Sequence, residues 1–121
     1  IAWDLALFCQ MILNGGQLND QRIVGESTIR LFTTRQDIPK GSSRALGWDT
    51  KSEEHTSIKF FSNSTFGHTG FTGTSMWIDP ESKLFVILLT NRVHPTRENL
   101  KISDIRAEVH DRVIEAVISD E

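Results

Sequence analysis

The residues best able to do chemistry lie in one run, Phe66-Gly67-His68-Thr69-Gly70-Phe71-Thr72-Gly73-Thr74. An imidazole and a hydroxyl stand side by side at His68 and Thr69, and glycines at 67, 70 and 73 bracket them. An imidazole can carry or relay a proton near neutral pH, and a threonine hydroxyl can donate to a carbonyl or carboxylate oxygen. Glycine is used where another group approaches the main chain closely or φ turns positive. The spacing therefore reads as a place where a polar ligand docks against a strand. A single histidine in a strand is more often structural than catalytic, so the case rests on the neighbours as much as on His68. His55, His94 and His110 have no short spacing to His68, and no metal site is expected. Cys9 falls among apolar residues in a helical pattern and reads as a small buried hydrophobe rather than a nucleophile.

Strands must hold this run in place. From Thr74 the residues alternate, with Thr74, Met76 and Ile78 on one side and Ser75, Trp77 and Asp79 on the other, the period of a half-buried strand. After the turn Asp79-Pro80-Glu81-Ser82, the unbroken run Leu84-Phe85-Val86-Ile87-Leu88-Leu89 predicts a central strand buried on both faces. A shorter strand is expected at Ile58-Lys59-Phe60-Phe61. Strands near 46–49, 58–61, 66–70, 72–79 and 83–90 would then form one antiparallel meander.

Helices complete the frame. Ile1, Leu5, Phe8 and Ile12 predict an amphipathic helix over 1–14, stopped by Asn14-Gly15-Gly16. A shorter helix to Thr33 follows, with Gly25 or Ser27 as its cap, and Ser103 or Asp104 caps a final helix over 103–118 whose apolar positions include Ile105, Val109, Val113 and Val117. Segments 34–43, 50–56 and 92–99 read as loops, and Trp48 and Trp77 as core or sheet-face aromatics. The fold class is α+β, an antiparallel sheet flanked by helices.

The chain as a whole removes several function classes. Its 121 residues suit one small domain, and 38% hydrophobic with 24% charged residues is an ordinary globular balance. No apolar run is long enough to span a bilayer. A formal charge of -3 with scattered basic residues offers no footprint for nucleic acid.

The order Gly67-His68-Thr69-Gly70, strand, Asp79-Pro80 turn, hydrophobic strand and Thr90-Asn91-Arg92 resembles the carboxy-terminal part of the penicillin-recognising serine hydrolases, the group of class C β-lactamases, DD-peptidases and esterases. His68-Thr69-Gly70 stands where that family has Lys-Thr-Gly, and the likeness extends into the flanking helices. It implies that 1–121 is the C-terminal portion of a β-lactamase/transpeptidase-like domain, with a helical pair at 1–33, the sheet at 46–90 and the last helix at 103–118. Catalytic duty is implied for His68, Thr69, Gly70 and Phe71, the last through its backbone N–H in an oxyanion hole. Thr72, Gly73, Arg97 and Asn99 would border the substrate. No metal or organic cofactor is implied.

The family's nucleophile sits in Ser-x-x-Lys and its second motif is Tyr-x-Asn. No serine of this chain has lysine three residues on, and there is no tyrosine. The chain also starts at Ile1 inside a helical pattern, so it is expected to be a piece of a longer protein, inactive alone. The whole enzyme would act on an amide, ester or lactam through an acyl-enzyme, with a small molecule or peptide as substrate. Apolar surface left bare by a missing part would favour a homodimer. The alternative is a non-catalytic binding or scaffold domain of the same fold, and the upstream coding sequence discriminates the two. A bacterial cell envelope or periplasm and a bacterial cytoplasm both fit.

Overall fold

The computed structural model describes residues 1–119. Its layers follow from the alternation along one strand. β4 (Phe66–Thr69), β5 (Ser75–Asp79) and β6 (Leu84–Leu88) form an antiparallel meander, and the short β3 (Asp49–Thr50) adds to β4, giving the order β3-β4-β5-β6. Gly67 lies opposite Trp77, His68 opposite Met76 and Thr69 opposite Ser75, while Trp77 and Ile78 face Val86 and Phe85 of β6. One face of this ladder, with Phe66, Met76, Ile78, Phe85 and Ile87, packs on Cys9, Met11 and Ile12 of α1 (Ala2–Leu13). The other face, with Trp77 and Val86, packs on Ile58, Phe61 and on Ile114 of α3 (Ile102–Ser119). The two helices expected against the sheet thus lie on opposite sides of it, and each has its own apolar cluster. Burial pushes the Cys9 thiol up to about 11, so it is an uncharged packing group.

Helix α1 ends as its glycines predict: Gly16 N–H donates to Met11 O and Gly15 N–H to Ile12 O, the paired bonds of a Schellman cap. Only its C-terminal half is buried, and Ile1 and Phe8 of the expected apolar face are 87% and 40% exposed. A short hairpin, β1 (Gln17–Leu18) with β2 (Gln21–Arg22), occupies the expected turn, and α2 (Glu26–Thr33) follows with Gly25 as its cap.

Four expectations need correction. Residues 58–61 are not a strand: a 3-10 turn spans Thr56–Ile58, and Ile58 and Phe61 N–H groups donate to the carbonyls three residues back. Both side chains are buried in one cluster, which a spacing of three achieves in a helical turn and a pleated strand cannot. Residues 46–48 form a tight reversal closed by Ala45 N–H to Trp48 O, which moves the strand to Asp49–Thr50 and buries both of those residues rather than solvating Thr50. The run at 84–89 forms an edge strand, paired only with β5 among the described residues, with Val86 alone fully buried in β6. The last helix begins at Ile102, so Ser103 and Asp104 lie inside its first turn instead of capping it.

Gly67 is spent on packing. A Cβ there would lie 2.1 Å from Met76 O and 2.5 Å from Trp77 Cε3. Gly67→Ala is expected to push the Trp77 ring out of its seat and cost about 1–3 kcal/mol, the usual penalty of overpacking a core. Urea unfolding of the intact protein checks this, and an unchanged midpoint would remove the tight Gly67–Trp77 contact from the account.

His110 supplies a pH dependence. It is fully buried on α3, edge-on to the Phe61 ring, with Ser57 and Arg106 backbone nearby but no well-formed hydrogen bond at either nitrogen among the described residues. Burial therefore holds its pKa below the ordinary 6.5. A group kept neutral in the fold binds fewer protons folded than unfolded, so its stabilising contribution is full above the unfolded value and is lost as pH falls toward the folded one. Stability is expected to fall as pH drops below the unfolded value of about 6.5, with a slope of up to about 1.4 kcal/mol per pH unit. His110→Phe should flatten that part of the urea-unfolding profile.

Candidate active site

β4 ends at Thr69, and a three-residue loop, Phe71-Thr72-Gly73, returns the chain to β5. Gly70 N–H donates to Thr74 O at 2.7 Å and Gly73 N–H to Gly70 O at 3.1 Å, closing the hairpin. Gly73 has φ 112°, the positive-φ third position that such a loop calls for. Gly70 faces Thr74, whose Oγ1 would lie 2.2 Å from an added Cβ. The bare backbone of this run is thus filled by its own hairpin. What it leaves open is the Phe71 N–H and the Thr69 hydroxyl, neither of which has a hydrogen-bond partner among the described residues. The Phe71 ring itself is 67% exposed and lies under the Arg92 guanidinium.

Every carbonyl of this loop is engaged. Arg106 Nη2 donates to Gly70 O at 2.9 Å and to Thr74 O at 2.6 Å. Arg92 donates from Nε to Phe71 O at 2.8 Å and from its backbone N–H to Thr72 O at 2.9 Å. Thr90 Oγ1 donates to Gly73 O at 2.7 Å. All three donors come from the end of β6, the loop after it, or α3. Burial, and then the charge of Arg92, hold the Arg106 pKa below its ordinary value.

His68 is exposed, and both of its ring nitrogens are engaged. Nδ1 is 2.7 Å from Thr69 O and Nε2 is 2.7 Å from Arg44 Nη1. A carbonyl can only accept and a guanidinium can only donate. The two contacts together fit one state, a neutral imidazole with its proton on Nδ1. Arg44 in turn lies 3.8 Å from Asp49 Oδ2, which is 3.0 Å from His55 Nε2. The Asp49 carboxyl is pushed up by burial, but the Ser43 hydroxyl, the charges of His55 and Arg44 and the Thr50 N–H together hold it below the usual carboxylate range. A groove lined by Arg35, Ser43, Arg44, Asp49, His55 and Thr69 opens beside this chain of charges.

The candidate residues sort clearly by position. His68, Thr69, Gly70 and Phe71 are contiguous at the end of β4, and Thr72 and Gly73 complete its loop. Arg97 and Asn99 are brought toward that loop through their main chain, both carbonyls accepting from Arg92 Nη1, while Asn99 Oδ1 accepts from Lys101 N–H. Arg44, Asp49, Arg92 and Arg106 were missed by sequence reasoning. Arg44 is 24 residues from His68 and Arg106 is 36 from Gly70, so no local spacing marks them. Among the described residues no cluster of three or more His, Cys, Asp or Glu is placed to hold a metal, and no helix is long and apolar enough to cross a membrane.

A family model described as Beta-lactamase matches residues 1–111. The chain belongs to the β-lactamase family. Among curated relatives, proteins named as candidate D-alanyl-D-alanine carboxypeptidases from Salmonella gallinarum and Salmonella paratyphi B are each 33% identical over 103 residues, 83% of this chain. The chain spans 23% of the length of each of these relatives. The crystal structure of a β-lactamase from Mycobacterium bovis superposes with a TM-score of 0.73 at 21% identity, covering 95% of this chain and 43% of that one, a likeness of fold. The α+β architecture expected from the sequence is therefore that of the β-lactamase family, and family membership rests on the match across 1–111 and the relatives' identity.

The imidazole state can be read directly. In the intact protein near neutral pH, long-range nitrogen–proton NMR correlations should show His68 protonated at Nδ1 and bare at Nε2. Arg44→Ala should release this preference to a mixture of tautomers. A proton on Nε2 in the unaltered protein would contradict the arrangement.

Proposed function

We propose that this chain is the C-terminal portion of a penicillin-recognising-type serine hydrolase, which hydrolyses an amide, ester or lactam through an acyl-enzyme. The observation that carries the reading is the pair of open donors, the Phe71 N–H and the Thr69 hydroxyl, at the end of a strand where the family places its third motif. In this reading a serine outside these residues attacks the substrate carbonyl carbon. The oxygen that gains negative charge is met by the Phe71 N–H as half of an oxyanion hole, and collapse expels the alcohol or amine with a proton from the enzyme. Water then cleaves the acyl-serine. A backbone donor of this kind is worth about 3–4 kcal/mol because it meets charge that develops only in the transition state.

The roles of the remaining residues follow. The Thr69 hydroxyl orients a substrate carbonyl or carboxylate, and Gly70, packed on Thr74, supplies the carbonyl of the peptide whose other end is the Phe71 N–H. Thr72 and Gly73 border the substrate through the loop. His68 acts in its neutral form, hydrogen-bonded to Arg44, and Arg97 and Asn99 act by tethering Arg92. The names of the Salmonella relatives make D-alanyl-D-alanine peptides the first substrates to try, beside penicillins and short esters.

The intact protein should be labelled by a fluorescent fluorophosphonate, and these 121 residues alone should neither be labelled nor hydrolyse nitrocefin or p-nitrophenyl esters. Stoichiometric acylation of the isolated chain would sink the assignment of the nucleophile to other sequence. In the intact enzyme His68→Lys should lower kcat/KM by roughly tenfold or more, since a cation donates where Arg44 now donates and the hydrogen bond between them is lost. Activity equal to the unaltered enzyme would show that neutral imidazole is not the working form.

A further inference from the structure

The reading of Phe71 N–H as an oxyanion donor raises the question of what aims it. A trans peptide is planar, and its N–H and C=O point in opposite directions. The Phe71 N–H belongs to the same peptide as the Gly70 carbonyl, so whatever fixes that oxygen fixes the donor. Gly70 offers little resistance to rotation of this peptide, having no side chain to restrict ψ. An external clamp is needed, and Gly70 O receives two bonds, from Arg106 Nη2 at 2.9 Å and from Gly73 N–H at 3.1 Å.

We infer that Arg106, with Arg92 beside it, is a positioning residue that aims the Phe71 N–H into the site by holding the loop carbonyls from behind. The five consecutive carbonyls from Gly70 to Thr74 all accept from Arg106, Arg92 or Thr90. Arg106 spans the hairpin's mouth, reaching the carbonyls on both of its arms. Arg92 holds the tip and is itself anchored by Arg97 O and Asn99 O. The side of the loop away from α3 is left with the free Phe71 N–H. Because the clamp comes from a helix packed through Ile114 on the Trp77 face, the donor's direction is set by the core rather than by the loop. The inference rests on the serine-hydrolase reading and adds to it a residue that touches neither substrate nor nucleophile.

The test uses the intact protein with p-nitrophenyl butyrate as substrate and phenylboronic acid as a tetrahedral adduct former. Arg106→Met should lower kcat by about tenfold to a hundredfold with KM within about twofold, the pattern of an interaction made only in the transition state. Its affinity for phenylboronic acid should fall in proportion, and Arg106→Lys should recover part of both. Arg92→Gln, which removes the bond to Phe71 O, gives a second variant should Arg106→Met fail to fold, with a smaller fall of the same kind expected. Ile12→Val, a core change in the cluster on the opposite face of the sheet, should lower the melting temperature and leave kcat unchanged. Arg106 and Arg92 variants that melt earlier but keep kcat and boronate affinity would reduce the clamp to a structural role and overturn the inference. Unaltered protein inert to p-nitrophenyl butyrate, phenylboronic acid and fluorophosphonate alike would instead overturn the serine-hydrolase reading beneath it.

Discussion

Trp77 lies against a position where no side chain can stand. Its ring occupies the space over Gly67, fully buried between the sheet and the cluster of Ile58, Phe61 and Ile114. That contact fixes which residue of β4 faces which residue of β5, because a slip by one would set a side chain where only hydrogen fits and would turn every alternate residue to the other face. From the register follow the two cores, the position of His68 at the end of β4 and the closure of the hairpin at Gly70 and Thr74. Asp79, at the far end of β5, finishes the same strand. It is fully buried, and it accepts from Ser62 N–H and Oγ, Glu81 N–H, and Ser82 N–H and Oγ. Burial raises its carboxyl, but these donors together hold it below the usual carboxylate range.

The candidate site is built on secondary structure at one end and on charge at the other. β4 delivers the imidazole and hydroxyl, while three arginines surround the residues it delivers. Arg44 meets the His68 ring, Arg92 the loop tip and Arg106 the hairpin mouth. Among the described residues none of these arginines has a carboxylate at hydrogen-bonding distance, and the 3.8 Å approach of Arg44 to Asp49 is the nearest such contact. Their charges are instead spent on neutral carbonyls and an imidazole. A cation bonded to a peptide oxygen draws electron density through the peptide and makes the N–H at its other end a better donor. The same bonds that orient the Gly70–Phe71 peptide therefore also polarise it.

Much of this was legible in the chain because alternation and glycine are local signals. The split of Met76 and Ile78 from Trp77 and Asp79 was read from period alone, and the Asn14-Gly15-Gly16 stop from composition. The candidate run 66–74 could be singled out for the same reason, since its residues are contiguous. Three kinds of feature were not. Ile58 and Phe61 are apolar at a spacing that serves either a short strand or a turn, and only the cluster they enter decides between them. The run at Leu84–Leu88 carries a central strand's composition, yet β6 stands at the sheet edge in this chain. The glycines at 67 and 70 suggested room for a ligand, whereas Trp77 and Thr74 fill that room. The arginines were illegible because a guanidinium that reaches 24 or 36 residues along the chain leaves no periodic trace.

The histidine at 68 gains its meaning from Arg44. Where the resembling family has Lys-Thr-Gly, a lysine places one positive charge directly before the hydroxyl residue. Here the triplet begins with an imidazole whose two contacts leave it neutral, and the charge stands one bond outward, on the guanidinium 2.7 Å from Nε2. The pair His68–Arg44 thus carries the same unit charge as the lysine, but over a longer and more rigid path. An ammonium on four rotatable carbons can follow a substrate; a guanidinium braced by an imidazole and facing Asp49 cannot do so without breaking a hydrogen bond. The consequence is a more fixed charge. The positive charge nearest the triplet is thus held in place by a hydrogen bond to His68 rather than free to move on a flexible stem.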